Sequence, residues 1–133
     1  LIEIPERYLL VPPADAELRR LEIHSITGWL SQLPDIRSTI FGGFFRYDPS
    51  TGDIIHGRLI DAWGESNITG RMNENSLVFD KKYRDAERND LVNYNFVNQN
   101  GIWVGKYRLF NEDSGRADCV TRLIIEDGQR VGI

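Results

Sequence analysis

One cysteine, two histidines and one methionine are all the sulfur and imidazole in this 133-residue chain. The lone Cys119 excludes an internal disulfide and any cysteine-built metal cluster, and it favours a reducing, cytoplasmic setting. His24 and His56 are too few for a multi-histidine metal site. No apolar run approaches the roughly 20 residues of a membrane helix, so no membrane span is expected. Leu1 stands first and no charged-then-apolar leader follows. The chain therefore reads as a processed fragment, from which a signal peptide could have been removed. Positive charge is short as well: sixteen basic residues against twenty acidic give a net charge of −4. Phosphate binding needs a positive field, so nucleic acid is not the expected partner. No phosphate-cradling loop, metal-ligand spacing or Ser/His/Asp order is present. No cofactor is implied, and the balance leans away from an enzyme. Asn67-Ile68-Thr69 fits a glycosylation sequon but falls in a predicted strand, and is taken as chance.

What the chain does have is a recurrence of a large apolar residue followed two positions later by glycine. The copies are Ile26-Thr27-Gly28, Ile40-Phe41-Gly42, Ile55-His56-Gly57, Ile68-Thr69-Gly70 and Trp103-Val104-Gly105. In a strand, residues i and i+2 share a face, so each copy sets a bulky side chain beside bare backbone. Repeated once per strand, such glycines let a small antiparallel sheet coil and close. Eight β runs follow from period-2 alternation and turn chemistry: 22–31, 37–48, 53–62, 66–73, 76–84, 90–98, 101–110 and 116–126. No gap has room for a helical crossover, so neighbouring strands are antiparallel. The expected fold is all-β: an eight-stranded up-and-down antiparallel barrel over 22–133. A proline-bearing extended segment and a short helix, Ala14–Leu21, occupy residues 1–21.

Alternation also assigns faces. Val92, Tyr94 and Phe96 point inward, as do Leu77, Phe79, Lys81 and Tyr83. Extending the Ile-x-Gly rule adds Ile40, Gly42 and Phe44, then Ile55, Gly57, Leu59 and Asp61, then Trp103, Gly105, Tyr107 and Leu109, with Arg46 following on the second strand. The inward sets turn polar at Arg46, Asp61, Lys81 and Tyr83. A cation lined by tyrosines suits a carboxylate or another polar head group. The plain alternative is that these charges pair with one another at strand ends. Asp61 also begins the Asp61-Ala62-Trp63-Gly64 turn, where its carboxylate would accept turn amides. The same rule leaves Phe41, Phe45, Ile54 and Ile60 outward as an apolar patch, to be covered by residues 1–21 or used against a protein partner or a second copy. Cys119 reads as a small core residue rather than a nucleophile.

The stretches Ile26-Thr27-Gly28-Trp29, Thr39-Ile40-Phe41-Gly42-Gly43-Phe44 and Gly52-Asp53-Ile54-Ile55-His56-Gly57 resemble the opening of calycin-type barrels such as lipocalins, fatty-acid-binding proteins and avidins. Gly57-x-Leu59-x-Asp61-x-x-Gly64-x-Ser66-x-Ile68-x-Gly70, with Phe79-x-Lys81-x-Tyr83 after it, is similar to uncharacterised lipocalin-like domains. The resemblance spans about residues 22–110. Trp29 follows Gly28 directly, where lipocalins place one residue between them. What the resemblance implies is a barrel that binds a small molecule; it carries no residue assignments, since one fold hosts many functions. Two expectations result. In the first, a small, partly apolar ligand enters the barrel, with Tyr94, Trp103 and Tyr107 lining it and Arg46, Asp61, Lys81 and Tyr83 meeting its polar end. In the second, the barrel is filled by its own side chains and acts as an interaction or assembly module through Phe41, Phe45, Ile54 and Ile60.

Overall fold

The structure is a computed structural model that describes residues 21–32, 38–85, 91–109, 114–126 and 129–130. The segment 1–20, with most of the expected helix at Ala14–Leu21, lies outside the described residues, as do parts of the connections at 33–37, 86–90 and 110–113. The strands are β1 (Glu22–Gln32), β2 (Ser38–Asp48), β3 (Asp53–Asp61), β4 (Gly64–Met72), β5 (Ser76–Tyr83), β6 (Leu91–Gln99), β7 (Ile102–Leu109) and β8 (Ser114–Glu126), with a two-residue β9 (Gln129–Arg130) folded back on the end of β8. Each pairs antiparallel with the next, and β1 pairs with β8 along its length, from Glu22 opposite Glu126 to Gln32 opposite Gly115. That last ladder closes an eight-stranded barrel, as expected from the sequence. No described residue is helical. The architecture is compatible with a calycin-like fold.

The facing holds on β4 to β7. Ile68 and Met72, Leu77, Phe79 and Lys81, Val92, Tyr94 and Phe96, and Trp103 and Tyr107 are all buried inside. On β2 it is reversed. Phe41 and Phe45 are 1% and 0% exposed, whereas Ile40 is 78% exposed. Both faces of β2 are apolar and two glycines adjoin, so the Ile-x-Gly rule selects the wrong one. The inward glycine is Gly43: a Cβ there would run into the Arg58 carbonyl and Leu59 Cα of β3. Two phenylalanine rings bury more apolar area than Ile40 and Phe44 would, and that decides the face.

On β3 one extra residue shifts the alternation. Tyr47 pairs with Ile54 but Arg46 with His56, and on the other side Gly70 pairs with Ile54 but Ile68 with Gly57. Both neighbours see the same bulge at Ile55, which turns outward while Ile54 and Gly57 both turn in. The outward patch of Phe41, Phe45 and Ile54 therefore does not form. All three are core residues, and only Ile60, at 60% exposed, faces out as expected. A second bulge, at Ile124 on β8, brings Ile124 and Ile125 together with Ile23 and the partly buried Phe44 into a small cluster separate from the main core.

The main core is built around Tyr94. Its ring stacks on Phe79 with centroids 4.8 Å apart, and Tyr107, Phe41 and Phe96 lie 5.8, 6.0 and 6.0 Å away. Offset and tilted pairs of this kind add roughly 0.5–1.5 kcal/mol each beyond their burial.

Candidate functional site

Period-2 alternation carries β5 from apolar to polar on a single face: Leu77 and Phe79, then Lys81 and Tyr83. Register fixes what Lys81 meets. It sits opposite Ile68 on β4 and Val92 on β6, and Tyr94 is one inward position further along β6. From the other side, β3 delivers Asp61 at its last residue. Between β3 and β5 the inward residue of β4 is Ser66, paired with both Leu59 and Tyr83 and fully buried. A small side chain there leaves room for Asp61 to reach across to Lys81. Ser66 stays satisfied by donating its hydroxyl to the Leu59 carbonyl at 3.3 Å.

The result is a hub of four side chains. Lys81 Nζ donates to Asp61 Oδ2 at 2.8 Å, to the Tyr83 hydroxyl at 2.9 Å and to the Tyr94 hydroxyl at 2.9 Å. The Tyr83 hydroxyl donates to Asp61 Oδ2 at 2.7 Å. Asp61 Oδ1 accepts the Trp63 backbone N–H at 2.8 Å, so the turn-capping role expected for this residue coexists with the ion pair. The side chains of Lys81 and Asp61 are 2% and 0% exposed. Nζ also lies 4.6 and 5.1 Å from the centroids of the Tyr83 and Tyr94 rings, within cation–π range. Desolvation pulls the Lys81 pKa below the ordinary lysine range, against the opposing pull of Asp61. Burial, reinforced by the negative charge of its neighbours, raises the Tyr94 phenol and keeps it protonated.

Four of the seven residues expected to meet a ligand thus converge: Asp61, Lys81, Tyr83 and Tyr94. Tyr107 adjoins them through its ring contact with Tyr94, and its hydroxyl donates to the Ser31 carbonyl at 3.2 Å. Trp103 faces inward but sits nearer the other end of the barrel, donating Nε1–H to Thr121 Oγ1 at 3.0 Å. Arg46 is not an interior residue. With Phe45 and Tyr47 turned toward the core, it falls on the outer face of β2 beside His56.

One buried residue and one half-buried residue escaped the sequence reading. Ser66 opens the expected run 66–73 in phase with Ile68, but nothing in its alternation singled it out for a site. His24 shows no signal, because its burial depends on the corrected facing of β2. Its ring stacks on Phe45 at 5.2 Å, meets Tyr47 edge-on at 5.3 Å and contacts Glu22 Oε1 at 2.9 Å. Desolvation lowers its pKa despite Glu22.

Among the described residues no group of three or more His, Cys, Asp or Glu side chains is placed to hold a metal ion. Cys119 is buried and its thiol is pushed well above the usual range, which suits a core residue. A half-open cleft of about 550 Å³ lies over β4 to β6, lined by Thr51, Arg71, Asn73, Val78, Asp80 and Asn93 among others. Its polar groups bond to one another: Arg71 Nη2 donates to the Thr51 carbonyl, and Asn93 Nδ2 to Asp80 Oδ1. No helix among the described residues is long and apolar enough to cross a membrane. No protein-family model matches the chain, and neither the curated proteins nor the solved structures yielded a match.

Proposed function

We propose that the barrel binds a small, partly apolar ligand without catalysis, with the polar part of the ligand directed at the Lys81 hub and its apolar part against the aromatic residues around Tyr94. The observation that supports this reading is the hub itself: a lysine and an aspartate, nearly fully buried, joined to two tyrosines. For stability alone such a pair is a poor choice, since apolar residues of similar volume often do as well or better. Placing it one layer inside the rim, against an aromatic floor, suits recognition. The resemblance to calycin-type barrels points the same way.

The hub is charge-balanced. As an ammonium, Lys81 already spends its three N–H groups on Asp61, Tyr83 and Tyr94. It has none left for a carboxylate, and Asp61 would repel one. A neutral polar group is the better match. Native mass spectrometry of the purified protein tests the reading. A co-purified or added small molecule retained at one per chain supports it; failure to retain either a co-purified species or 2-naphthalenemethanol would count against it.

A second reading, an interaction module, draws on two other observations. Tyr94 touches rings on four sides, as in a side-chain-filled barrel, and Ile40 and Ile60 stand exposed on adjoining strands. The same spectra decide it through the oligomeric state and partner retention.

A further inference from the structure

We propose that Lys81 is a carbonyl-capturing amine, so that the barrel takes a small aldehyde at its Lys81 end and holds it reversibly as an imine. This rests on the ligand-binding reading and names the ligand class. The geometry that carries it is the set of partners around Nζ. With Lys81 as an ammonium, the Tyr94 oxygen accepts from it, and the Tyr94 O–H then has no acceptor among the described residues. With Lys81 as a free amine, two N–H groups suffice for Asp61 and Tyr83, and the nitrogen lone pair faces the Tyr94 O–H. The hub accommodates both states of the amine, and in the free-amine state Tyr94 is a buried proton donor beside the reacting nitrogen. Once the lone pair attacks a carbonyl carbon, that O–H loses its acceptor, and the carbonyl oxygen supplies a new one. Burial of the lysine supports the free amine, the form that attacks carbonyls.

The step balances without any further reactant. The Nζ lone pair forms a bond to the carbonyl carbon, and the π pair moves to oxygen, which takes the Tyr94 proton. The nitrogen returns a proton to the Tyr94 oxygen, leaving a neutral carbinolamine. Its hydroxyl takes the Tyr94 proton again and leaves as water while nitrogen forms the C=N bond. The cationic iminium that results lies where Asp61 Oδ2 now receives Nζ, so the carboxylate is its counter-ion. Loss of the N–H proton to the Tyr94 oxygen gives the imine. The sum is one amine and one aldehyde giving one imine and one water, with no change of oxidation state.

The test uses the intact chain with 2-naphthaldehyde, sodium cyanoborohydride to fix any imine as a secondary amine, and peptide mapping by mass spectrometry. In parallel, 2-naphthalenemethanol reports non-covalent binding by its fluorescence. The expected result is one adduct per chain, at Lys81, in preference to the exposed Lys82 and Lys106. Lys81→Met should lose that adduct. Tyr94→Phe keeps the lysine and removes the donor, and should be trapped about a hundredfold more slowly. Its circular dichroism, compared with that of the parent, establishes that it folds. If the alcohol binds but the aldehyde is fixed only on exposed lysines, the imine proposal is overturned and the ligand reading stands. If neither probe binds, both are overturned. Trapping of Tyr94→Phe at the parent rate overturns the assignment of Tyr94 as the proton donor.

Discussion

Asp61→Asn is expected to cost about 3–4 kcal/mol of folding stability at neutral pH, and the cost should shrink as pH rises. Asparagine keeps the shape, and its Oδ1 can still accept the Trp63 N–H. What it removes is the charge 2.8 Å from Lys81 Nζ, in a site where the lysine is 2% exposed. A buried charge left without its partner costs about 3–5 kcal/mol. A ceiling comes from the alternative of releasing the proton, which for an ordinary lysine at neutral pH takes about 4–5 kcal/mol. Asp61 raises the Lys81 pKa in the parent, so its loss drives that pKa further down. The folded variant then sheds the proton at a pH where the unfolded chain, with its ordinary lysine near about 10.4, still holds it. Unfolding takes up a proton, so stability rises with pH through that window, by up to about 1.4 kcal/mol per unit. Adding Lys81→Met removes the stranded charge and should restore most of the loss, giving a coupling of about 2–3 kcal/mol in the double-mutant cycle. Urea unfolding followed by tryptophan fluorescence, repeated across a pH series, measures all four proteins. Additive costs, or a pH-independent penalty for Asp61→Asn, would refute the reasoning.

The corrected strand facing can be tested with two alanines. Gly57→Ala places a Cβ 2.6 Å from both Ile68 Cγ1 and Phe45 Cβ and should cost about 1–3 kcal/mol, whereas Gly42→Ala, with nothing nearer than 3.7 Å, should change thermal stability by under about 0.5 kcal/mol. His24 has a folded pKa below its ordinary 6.5, so the unfolded chain binds its proton first. Stability should therefore fall as pH drops below 6.5, and His24→Gln should flatten that part of a melting-temperature profile. Cys119 should react with a thiol reagent only at the rate of unfolding, because its thiol is buried and held protonated; rapid labelling of the native protein would contradict this.

How far the sequence was legible depended on how one-sided each strand is. On β6, asparagines alternate with Val92, Tyr94 and Phe96, so only one facing buries the rings. The same holds for β5, and these two strands supplied Lys81, Tyr83 and Tyr94. Asp61 was placed with them because β3 regains its alternation after the bulge, from Gly57 through Leu59. Arg46 and the Phe41 and Phe45 half of the outward patch failed together, since both relied on β2, where Ile40-Phe41 and Phe44-Phe45 offer rings or branched chains to either side; Ile54 was lost to the bulge on β3. A bulge such as that at Ile55 leaves no local mark either. It appears only when both neighbouring ladders are in register. Trp103 was given the right face but could not be placed along the barrel axis, because that depends on strand stagger rather than on alternation.

The ladder that closes the barrel joins the first strand to the eighth, with Glu22 opposite Glu126. Every other ladder joins neighbours in the chain, so it can zip as soon as its second strand exists. This one must bring together segments roughly a hundred residues apart, at a loop-closure cost that local pairing does not carry. During synthesis the first seven strands would stand as an open sheet, with β1 and β7 each presenting unpaired backbone until β8 arrives. Folding should therefore be slow for the size of the chain, and truncation ahead of Ser114 should produce material that pairs edge to edge rather than a smaller barrel.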